Sequence, residues 1–173
     1  MLAYEELIFE NKEAFKAKLQ QIAGKLNINP NWLMVVFFIE TAAPRYGKID
    51  SKIQNSIGAT GLIQFMPSTA RGLGTTTGAL KNMTNVEQLD WVYKYLACYS
   101  GRMLCLADLY FAVFFPAAIG KHPDWILSAQ TLSAQKIACA NPLYDLNHDQ
   151  QITVSEVQQK LRQFVPEAFK TIM

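Results

Sequence analysis

An unbroken run of eight apolar residues, from Trp32 to Ile39, ends at a single carboxylate, Glu40. Asn29 and Pro30 supply a helix start, because Asn is a favoured N-cap and the missing N–H of Pro needs no partner in the first turn. The run has no polar face, which predicts a helix that is buried on most sides and extends to about Thr41. It is less than half the roughly 20 residues needed to span a bilayer, so it indicates a core helix.

The rest of the chain predicts further helices joined by loops. There is no period-2 alternation typical of strands and no internal repeat. A length of 173 residues fits one domain, so we expect a single all-α domain over residues 1–173. The predicted helices cover residues 4–25, about 30–41, 67 to 72 or 74, the segment after the capping box at 84–87, 103–115 and the segment after "TVSE" at 153–156, with 74–78 predicted as a loop.

Composition and charge exclude several classes of function. The net charge is +2 and the basic residues are scattered, which disfavours nucleic-acid binding because that usually needs a clustered basic face. Cys98, Cys105 and Cys139 lack metal-site spacing and are interpreted as buried free thiols of a chain made in a reducing compartment. The N-terminus carries acids where a secretory signal would be basic and then apolar. We therefore expect a monomer made in the cytoplasm without a signal peptide and with no membrane partner.

Glu40 is the first candidate for chemistry. Burial disfavours the charged carboxylate, and the negative end of the helix dipole repels it, so both raise its pKa. A carboxyl group that stays protonated near neutral pH can act as a general acid. The alternative is that Glu40 only marks where the helix leaves the core, since perturbed titrations also occur outside active sites.

The second candidate segment is "GATGLIQFMPSTA", residues 58–70. Gly58 and Gly61 permit positive φ and close backbone approach. Gln64 is a lone amide among apolar residues, and a buried amide must find partners or a ligand. Amides suit the hydroxyl and N-acetyl groups of sugars. The alternative is an ordinary loop with an apolar patch and one satisfied Gln.

Together, "FIET" at 38–41 and "GATGLIQFMPSTA" resemble motifs of the lysozyme-like lytic transglycosylase superfamily, which includes goose-type lysozymes and phage cell-wall enzymes. In that family a buried helix ends in the catalytic Glu, and a motif G-x-x-G-L-[MI]-Q-[FIL]-M-P-x-T-A follows about twenty residues later. Every position of that motif is filled here. The resemblance is closest to a phage-type branch and covers about residues 10–165. It implies a lysozyme-like fold and a catalytic Glu40 that Thr41 orients. It also implies a substrate-binding set of Thr41, Gln64, Phe65 and Met66, with the backbone of residues 58–66 positioning the sugar.

The chain departs from the family at a third motif, A-Y-N-x-G, whose Tyr hydroxyl lies near the catalytic Glu. The corresponding segment reads "ADLYFAVFFPAAIGK" and places Phe114 or Phe115, which have no hydroxyl, near the motif's Tyr. Tyr110, one helical turn earlier, is the phenol assigned to substrate binding in its place. The alternative is that the role is absent.

The activity implied by the resemblance is cleavage of the β-1,4 bond between N-acetylmuramic acid and N-acetylglucosamine in peptidoglycan. Glu40 would act as sole acid/base and give a 1,6-anhydro product, with glycan strands as partner and no cofactor required. One alternative is a hydrolase with Asp50 as second carboxylate, because glycosidases usually use two. Another is a non-catalytic wall-binding or structural module of a phage tail or injection apparatus. Without a signal, the chain would reach the wall by phage- or secretion-apparatus-type delivery.

A separate motif, "DLNHDQQITVSE" at 145–156, fits the EF-hand calcium loop. The side-chain ligands would be Asp145, Asn147, Asp149, Thr153 and Glu156, at loop positions 1, 3, 5, 9 and 12. Gln151, at position 7, would contribute its backbone carbonyl. Gln150 stands where the loop normally has Gly, and a bulky residue there should cost on the order of 1 kcal/mol. The alternative is that "TVSE" is only a capping box, with the preceding acids stabilising a helix N-terminus. Any calcium is expected to be structural.

Overall fold

The computed structural model describes residues 1–172 and is helical through most of them. Within these residues β-structure is limited to isolated bridges. The predicted all-α fold is therefore confirmed. The α-helices are α1 (Lys12–Leu26), α2 (Pro30–Glu40), α3 (Ala43–Tyr46), α4 (Pro67–Leu73), α5 (Thr77–Asn82), α6 (Asn85–Leu96), α7 (Leu106–Phe114), α8 (Ala134–Ala140) and α9 (Val154–Phe164), with 3₁₀ turns at Glu5–Leu7, Ala97–Tyr99, Pro116–Ala118 and Glu167–Ile172.

The chain divides into two compact units, Met1–Gly101 and a second unit that begins at Arg102. The single domain expected over the whole length stays a prediction. Among the described residues, none of the helices is both long enough and apolar enough to cross a membrane. Cys98, Cys105 and Cys139 are free thiols, but the burial predicted for them is wrong, because Cys98 and Cys139 are exposed and Cys105 is half-buried.

In the first unit, α1 packs against α2 and α6. The segment Leu33–Phe37 of α2 is fully buried, and the ring of Phe37 meets that of Phe15 edge to face at 6.1 Å between centroids. The predicted start of α2 is confirmed: Pro30 is its first residue, and the side chain of Asn29 accepts a hydrogen bond from the N–H of Asn31 at 2.9 Å. The hydrophobic run therefore forms the central helix of this unit.

Two predicted boundaries in the first unit are wrong. Helix α1 begins at Lys12 and not at residue 4, because Asn11 takes a left-handed conformation with φ 49° that interrupts the helix. Helix α5 begins inside the stretch predicted as a loop, because the hydroxyl of Thr76 accepts a hydrogen bond from the N–H of Ala79 and caps a new helix. Helices α4 and α6 begin where predicted, and the capping box of Thr84 and Glu87 is present.

In the second unit, α7 packs against α9 and the 3₁₀ turn that follows α7. Helix α7 begins at Leu106, later than predicted, because Cys105 is extended and the carboxylate of Asp108 accepts a hydrogen bond from the N–H of Leu104 at 3.1 Å. Helix α8 was not predicted; its N-cap is Ser133. Helix α9 follows the predicted capping box of Thr153 and Glu156.

Candidate active site

A cleft of about 360 Å³ lies at the C-terminal end of α2. Its volume falls in the range of pockets that hold small molecules. Glu40 is the single carboxylate among the described residues that line it. The lining residues are Ile39, Glu40, Ala42, Tyr46, Ile53, Gln54, Asn55 and Gln64.

Glu40 is the last residue of α2 and is partly exposed where it meets the cleft. Burial by the surrounding protein raises the pKa of its carboxyl group from 4.5 to about 8. The raised pKa expected from the sequence is confirmed, with burial as its cause. A carboxyl group with this pKa is mostly protonated at neutral pH and can donate a proton.

The cleft lies between two chain segments, residues 39–46 with Glu40 and residues 53–64 with Gln64. The structure therefore brings Glu40 and Gln64 to one site. The backbone of Gln64 is left-handed, with φ 49°, which a residue other than Gly adopts at a cost. Its Nε2 donates to the carbonyl of Gly61 at 3.1 Å and to that of Ile53 at 3.4 Å. These contacts fix the amide at the wall of the cleft.

The loop that carries Gln64 is held by a buried amide on α6, Gln88. The Oε1 of Gln88 accepts a hydrogen bond from the N–H of Leu62 at 3.1 Å, and its Nε2 donates to the carbonyls of Ser51 and Leu80. A Cβ added to Gly61, where φ is 85°, would lie 2.3 Å from the Oε1 of Gln88. Glycine at position 61 is therefore required for both conformation and space.

Thr41, Phe65 and Met66 do not line the cleft. The hydroxyl of Thr41 is fully buried and donates to the carbonyl of Phe37 at 2.7 Å, so it supports the last turn of α2 rather than Glu40. Phe65 is a core residue, 2% exposed. Met66 is 40% exposed at the N-cap of α4. The structure thus places these three residues beside the cleft, and the substrate contacts expected of them stay predictions.

Tyr110 belongs to the second unit, where its hydroxyl hydrogen-bonds that of Tyr144 in a buried contact. Tyr95 of α6 is a phenol on which the charge of Glu40 has a small effect. Burial chiefly raises the pKa of Tyr95, followed by the neighbouring Tyr99, with smaller contributions that include Glu40. The ring of Tyr95 packs edge to face on Phe65 at 6.2 Å between centroids. The role assigned to Tyr110 stays a prediction.

Sequence reasoning missed three side chains with polar groups that line the cleft, those of Tyr46, Gln54 and Asn55. Gln54 donates from Nε2 to the hydroxyl of Thr60 at 2.9 Å. The Oδ1 of Asn55 accepts from the backbone N–H groups of Ile57 and Ala59 and closes a turn that contains Gly58. Tyr46 is 53% exposed beside the cleft. Asn is a residue type that favours turns, so its presence at position 55 fits a turn here, but it does not indicate that the loop forms a wall of the site.

Asp50, the candidate second carboxylate, lines a different cavity from Glu40. Lys48 pairs with it at 2.9 Å, and the N–H of Lys52 donates to its Oδ1 at 2.8 Å. Burial raises the pKa of Asp50, but these contacts outweigh it and hold that pKa below its usual value. Asp50 is therefore an ion-paired carboxylate outside the candidate site.

The EF-hand-like loop lies in the second unit, between α8 and α9. Asp149 accepts from the side chain of Asn147 at 3.0 Å and from the N–H of Gln151 at 2.9 Å. The Oε2 of Glu156 accepts from Thr153, which completes the capping box. In the described part of the chain, no group of three or more His, Cys, Asp or Glu side chains is arranged to hold a metal ion.

Comparison with protein-family models, with curated proteins and with solved structures gives no significant match for this chain. The resemblance to lysozyme-like transglycosylases therefore depends on the motifs of the sequence and stays a prediction.

Proposed function

We propose that this chain is a lytic transglycosylase that cleaves the β-1,4 bond between N-acetylmuramic acid and N-acetylglucosamine in peptidoglycan. The observation that carries the proposal is a single carboxyl group, that of Glu40, in a cleft of suitable size, with a pKa raised to about 8 by burial. The two sequence motifs, one with Glu40 and the other with Gln64, favour the same reaction.

In the proposed reaction, protonated Glu40 donates its proton to the glycosidic oxygen as the bond from C1 of the muramoyl residue breaks. The resulting carboxylate then takes the proton of the muramoyl 6-hydroxyl, whose oxygen bonds to C1. The substrate supplies its own nucleophile at high effective molarity. The reaction therefore needs no second carboxylate and consumes no water. The products are a 1,6-anhydro end and a free 4-hydroxyl, and Glu40 is protonated again.

Three side-chain amides, of Gln54, Asn55 and Gln64, support the choice of a sugar substrate. Amides carry both donors and acceptors for hydroxyl and N-acetyl groups. The Nε2 of Gln64 already donates to Gly61 and Ile53, so Gln64 offers the sugar its acceptor, Oε1. Tyr46 adds an exposed aromatic ring at the same cleft. An aromatic ring with a polar tip suits the apolar face and hydroxyl edge of a sugar.

The position of Asp50 favours transglycosylation over hydrolysis. A hydrolase would need a base that activates water across the sugar from the acid, and the two carboxyl groups of such enzymes are about 5 to 10 Å apart. Asp50 lines a separate cavity and is paired with Lys48. The proposal therefore assigns Asp50 no part in the chemistry.

The proposed site of action is the cell wall, with glycan strands as partner and delivery by a phage or secretion apparatus. We propose that the chain acts as a monomer and needs neither a nucleic acid nor a metal for the reaction itself.

The experiment is release of soluble fragments from purified, dye-labelled peptidoglycan. Glu40→Gln should lower the rate by about 100-fold or more, the usual contribution of a general acid. Asp50→Asn should keep the rate, as should Glu10→Gln, a matched control at an exposed acid that lines the same cavity as Asp50. The wild-type rate should fall as the pH rises above about 8, because the acid then loses its proton.

Loss of release in Asp50→Asn would instead favour the hydrolase. A folded wild type that binds peptidoglycan in a pelleting assay but releases nothing would favour the non-catalytic module.

A further inference from the structure

The loop at residues 145–156 contains two carboxylates that are nine-tenths buried, Asp145 (9% exposed) and Glu156 (8% exposed). Within the described residues neither one pairs with Lys, Arg or His. Buried carboxylates are normally paired, hydrogen-bonded or bound to a metal. Two of them in one short loop therefore need an explanation.

Capping explains Glu156 but not Asp145. Both oxygens of Glu156 are satisfied: Oε2 accepts from the N–H and hydroxyl of Thr153, and Oε1 accepts from the N–H of Leu146 at 3.0 Å. The Oδ1 of Asp145 is buried and has no hydrogen-bond partner in the structure. A buried carboxylate oxygen without a partner is costly and calls for an ordered water or an ion as its partner.

The carboxylate of Asp145 is turned into the loop. Its Oδ2 accepts from the N–H of Gln150, five residues on, at 3.2 Å, which leaves Oδ1 as the oxygen available to a ligand. Glu156 also reaches back to the start of the loop, because its Oε1 accepts from the N–H groups of Leu146 and Asn147. Both buried carboxylates therefore accept hydrogen bonds from backbone N–H groups of the loop.

The sequence departure at Gln150 does not prevent the sharp turn. Gln150 adopts φ 66°, the left-handed conformation for which the loop normally uses Gly. Its side-chain Oε1 accepts a hydrogen bond from the Nε2 of Gln135. The backbone therefore makes the turn with Gln in place.

The far half of the loop is anchored to the chain segment 125–127. The carbonyl of Ile152 accepts from the N–H of Leu127 at 2.8 Å, and the N–H of Val154 donates to the carbonyl of Trp125 at 3.0 Å. Ile152 itself is fully buried. This anchoring fixes the loop residues after Gln150 relative to the start of α9.

We propose that residues 145–156 bind one Ca²⁺ ion, with the free Oδ1 of Asp145 as a ligand. The other oxygen donors come from Asn147, Asp149, the backbone of Gln151, Thr153 and Glu156. Such a set of carboxylate, amide, hydroxyl and carbonyl oxygens suits Ca²⁺, which takes six to eight oxygen ligands in flexible geometry. The proposal is independent of the proposed function, and the ion has a structural part in the second unit.

The test is isothermal titration of the metal-free chain with calcium chloride, together with thermal melts in calcium and in chelator. We expect one site with a dissociation constant of about 1 mM or tighter and a melting midpoint about 3 °C or more higher in calcium. Magnesium chloride at equal concentration should give a smaller shift, because Mg²⁺ demands octahedral geometry and dehydrates reluctantly.

Glu156→Gln separates calcium binding from capping, because Gln also completes a capping box. Glu87→Gln is the matched control: Glu87 makes the same contacts with Thr84, at 2.8 Å from both N–H and hydroxyl, without an acidic loop before it. Glu156→Gln and Asp145→Asn should each weaken calcium binding by about tenfold or more, and Glu87→Gln should not change it.

Three results would overturn the proposal. One is a folded wild type that shows neither heat nor a melting shift at millimolar calcium. Another is a calcium shift that persists unchanged in both Glu156→Gln and Asp145→Asn. The third is a magnesium shift equal to that of calcium, which would mean a general charge effect.

Discussion

The side-chain Oε1 of Gln88 accepts a hydrogen bond from the backbone N–H of Leu62 at 3.1 Å. This contact holds in place the loop that contains Gln64, which lines the cleft. The Nε2 of the same amide donates to the carbonyl of Leu80 at 2.7 Å and to that of Ser51. One buried side chain on α6 thus joins three segments of the first unit. It acts on the candidate site by positioning and not by contact with a substrate.

Replacing Gln88 with Leu should destabilise the chain and lower its activity. The substitution leaves the N–H of Leu62 and the carbonyl of Ser51 without a partner, each worth about 1–3 kcal/mol, whereas the carbonyl of Leu80 keeps the N–H of Met83 as a donor. We therefore expect a loss of roughly 3 kcal/mol in the free energy of unfolding. Urea denaturation measures it. Gln21→Leu, at an exposed position on α1, should stay within about 0.5 kcal/mol of wild type. Equal stability of Gln88→Leu and wild type would mean that the hydrogen bonds of Gln88 do not stabilise the folded chain.

Gly61→Ala should be more damaging than the same change at Gly74. Both glycines have positive φ, 85° and 87°, so both variants carry the left-handed cost of about 1–2 kcal/mol. Only at Gly61 would the new Cβ also meet the Oε1 of Gln88, at 2.3 Å, whereas nothing lies within 4 Å at Gly74. Because the amide of Gln88 is held by hydrogen bonds, we expect an extra loss of about 1–3 kcal/mol in denaturant unfolding. Indistinguishable losses at the two positions would contradict this steric argument.

Glu40→Gln should stabilise the chain, increasingly as the pH rises. The folded-state pKa of Glu40 is about 8 against an ordinary 4.5, so between these values the folded chain binds more protons than the unfolded chain. Wild-type stability is therefore lost as the pH rises through this window, and Gln, which does not titrate, escapes the loss. The stability difference should grow by several kcal/mol between pH 4.5 and 8, with roughly 5 kcal/mol as the upper bound.

Asp50→Asn is a control whose stability difference from wild type should depend on pH in the opposite direction. The pKa of Asp50 is held below its usual value, so its contribution is present at neutral pH and is lost as the pH falls through the acid range. A stability difference for Glu40→Gln that does not change between pH 4.5 and 8 would mean that Glu40 titrates as an ordinary exposed carboxyl group.

Gln64→Gly should separate substrate binding from folding. Gly tolerates the φ of 49° at this position, which offsets the lost hydrogen bonds to Ile53 and Gly61, so the free energy of unfolding should change by less than about 1 kcal/mol. Fragment release should fall about tenfold or more through a raised KM, because the amide no longer contacts the sugar. Asn27→Gly, at an exposed position with φ 55°, should leave both unchanged. Full activity in Gln64→Gly would remove Gln64 from the site.

The features that the sequence predicted well are those set by local chemistry. The N-cap of Asn29 with Pro30, and the capping boxes that begin at Thr84 and Thr153, are each determined by residues within one turn of the chain. The left-handed turn at Asn11 was missed because the apolar spacing continues across it. Helix α8 was missed because its seven residues are too few for a clear period.

In the candidate site, the sequence predicted the two residues that motifs mark, Glu40 and Gln64, and their convergence on one cleft follows from the structure. The sequence did not predict that Gln88 holds the loop, since its partners at Ser51 and Leu80 come from separate segments. The electrostatic interaction of Tyr95 with Glu40 was missed for the same reason. Contacts between distant segments have no local signature in a single sequence.

The most direct measurement is mass spectrometry of the muropeptides released from purified peptidoglycan by wild type and by Glu40→Gln. The account predicts 1,6-anhydro-muramoyl ends from the wild type and none from the variant, with both proteins folded by circular dichroism. Reducing ends from the wild type would contradict it in favour of a hydrolase. Anhydro ends from Glu40→Gln would show that the acid lies elsewhere, and no products from a folded wild type would contradict the catalytic assignment altogether.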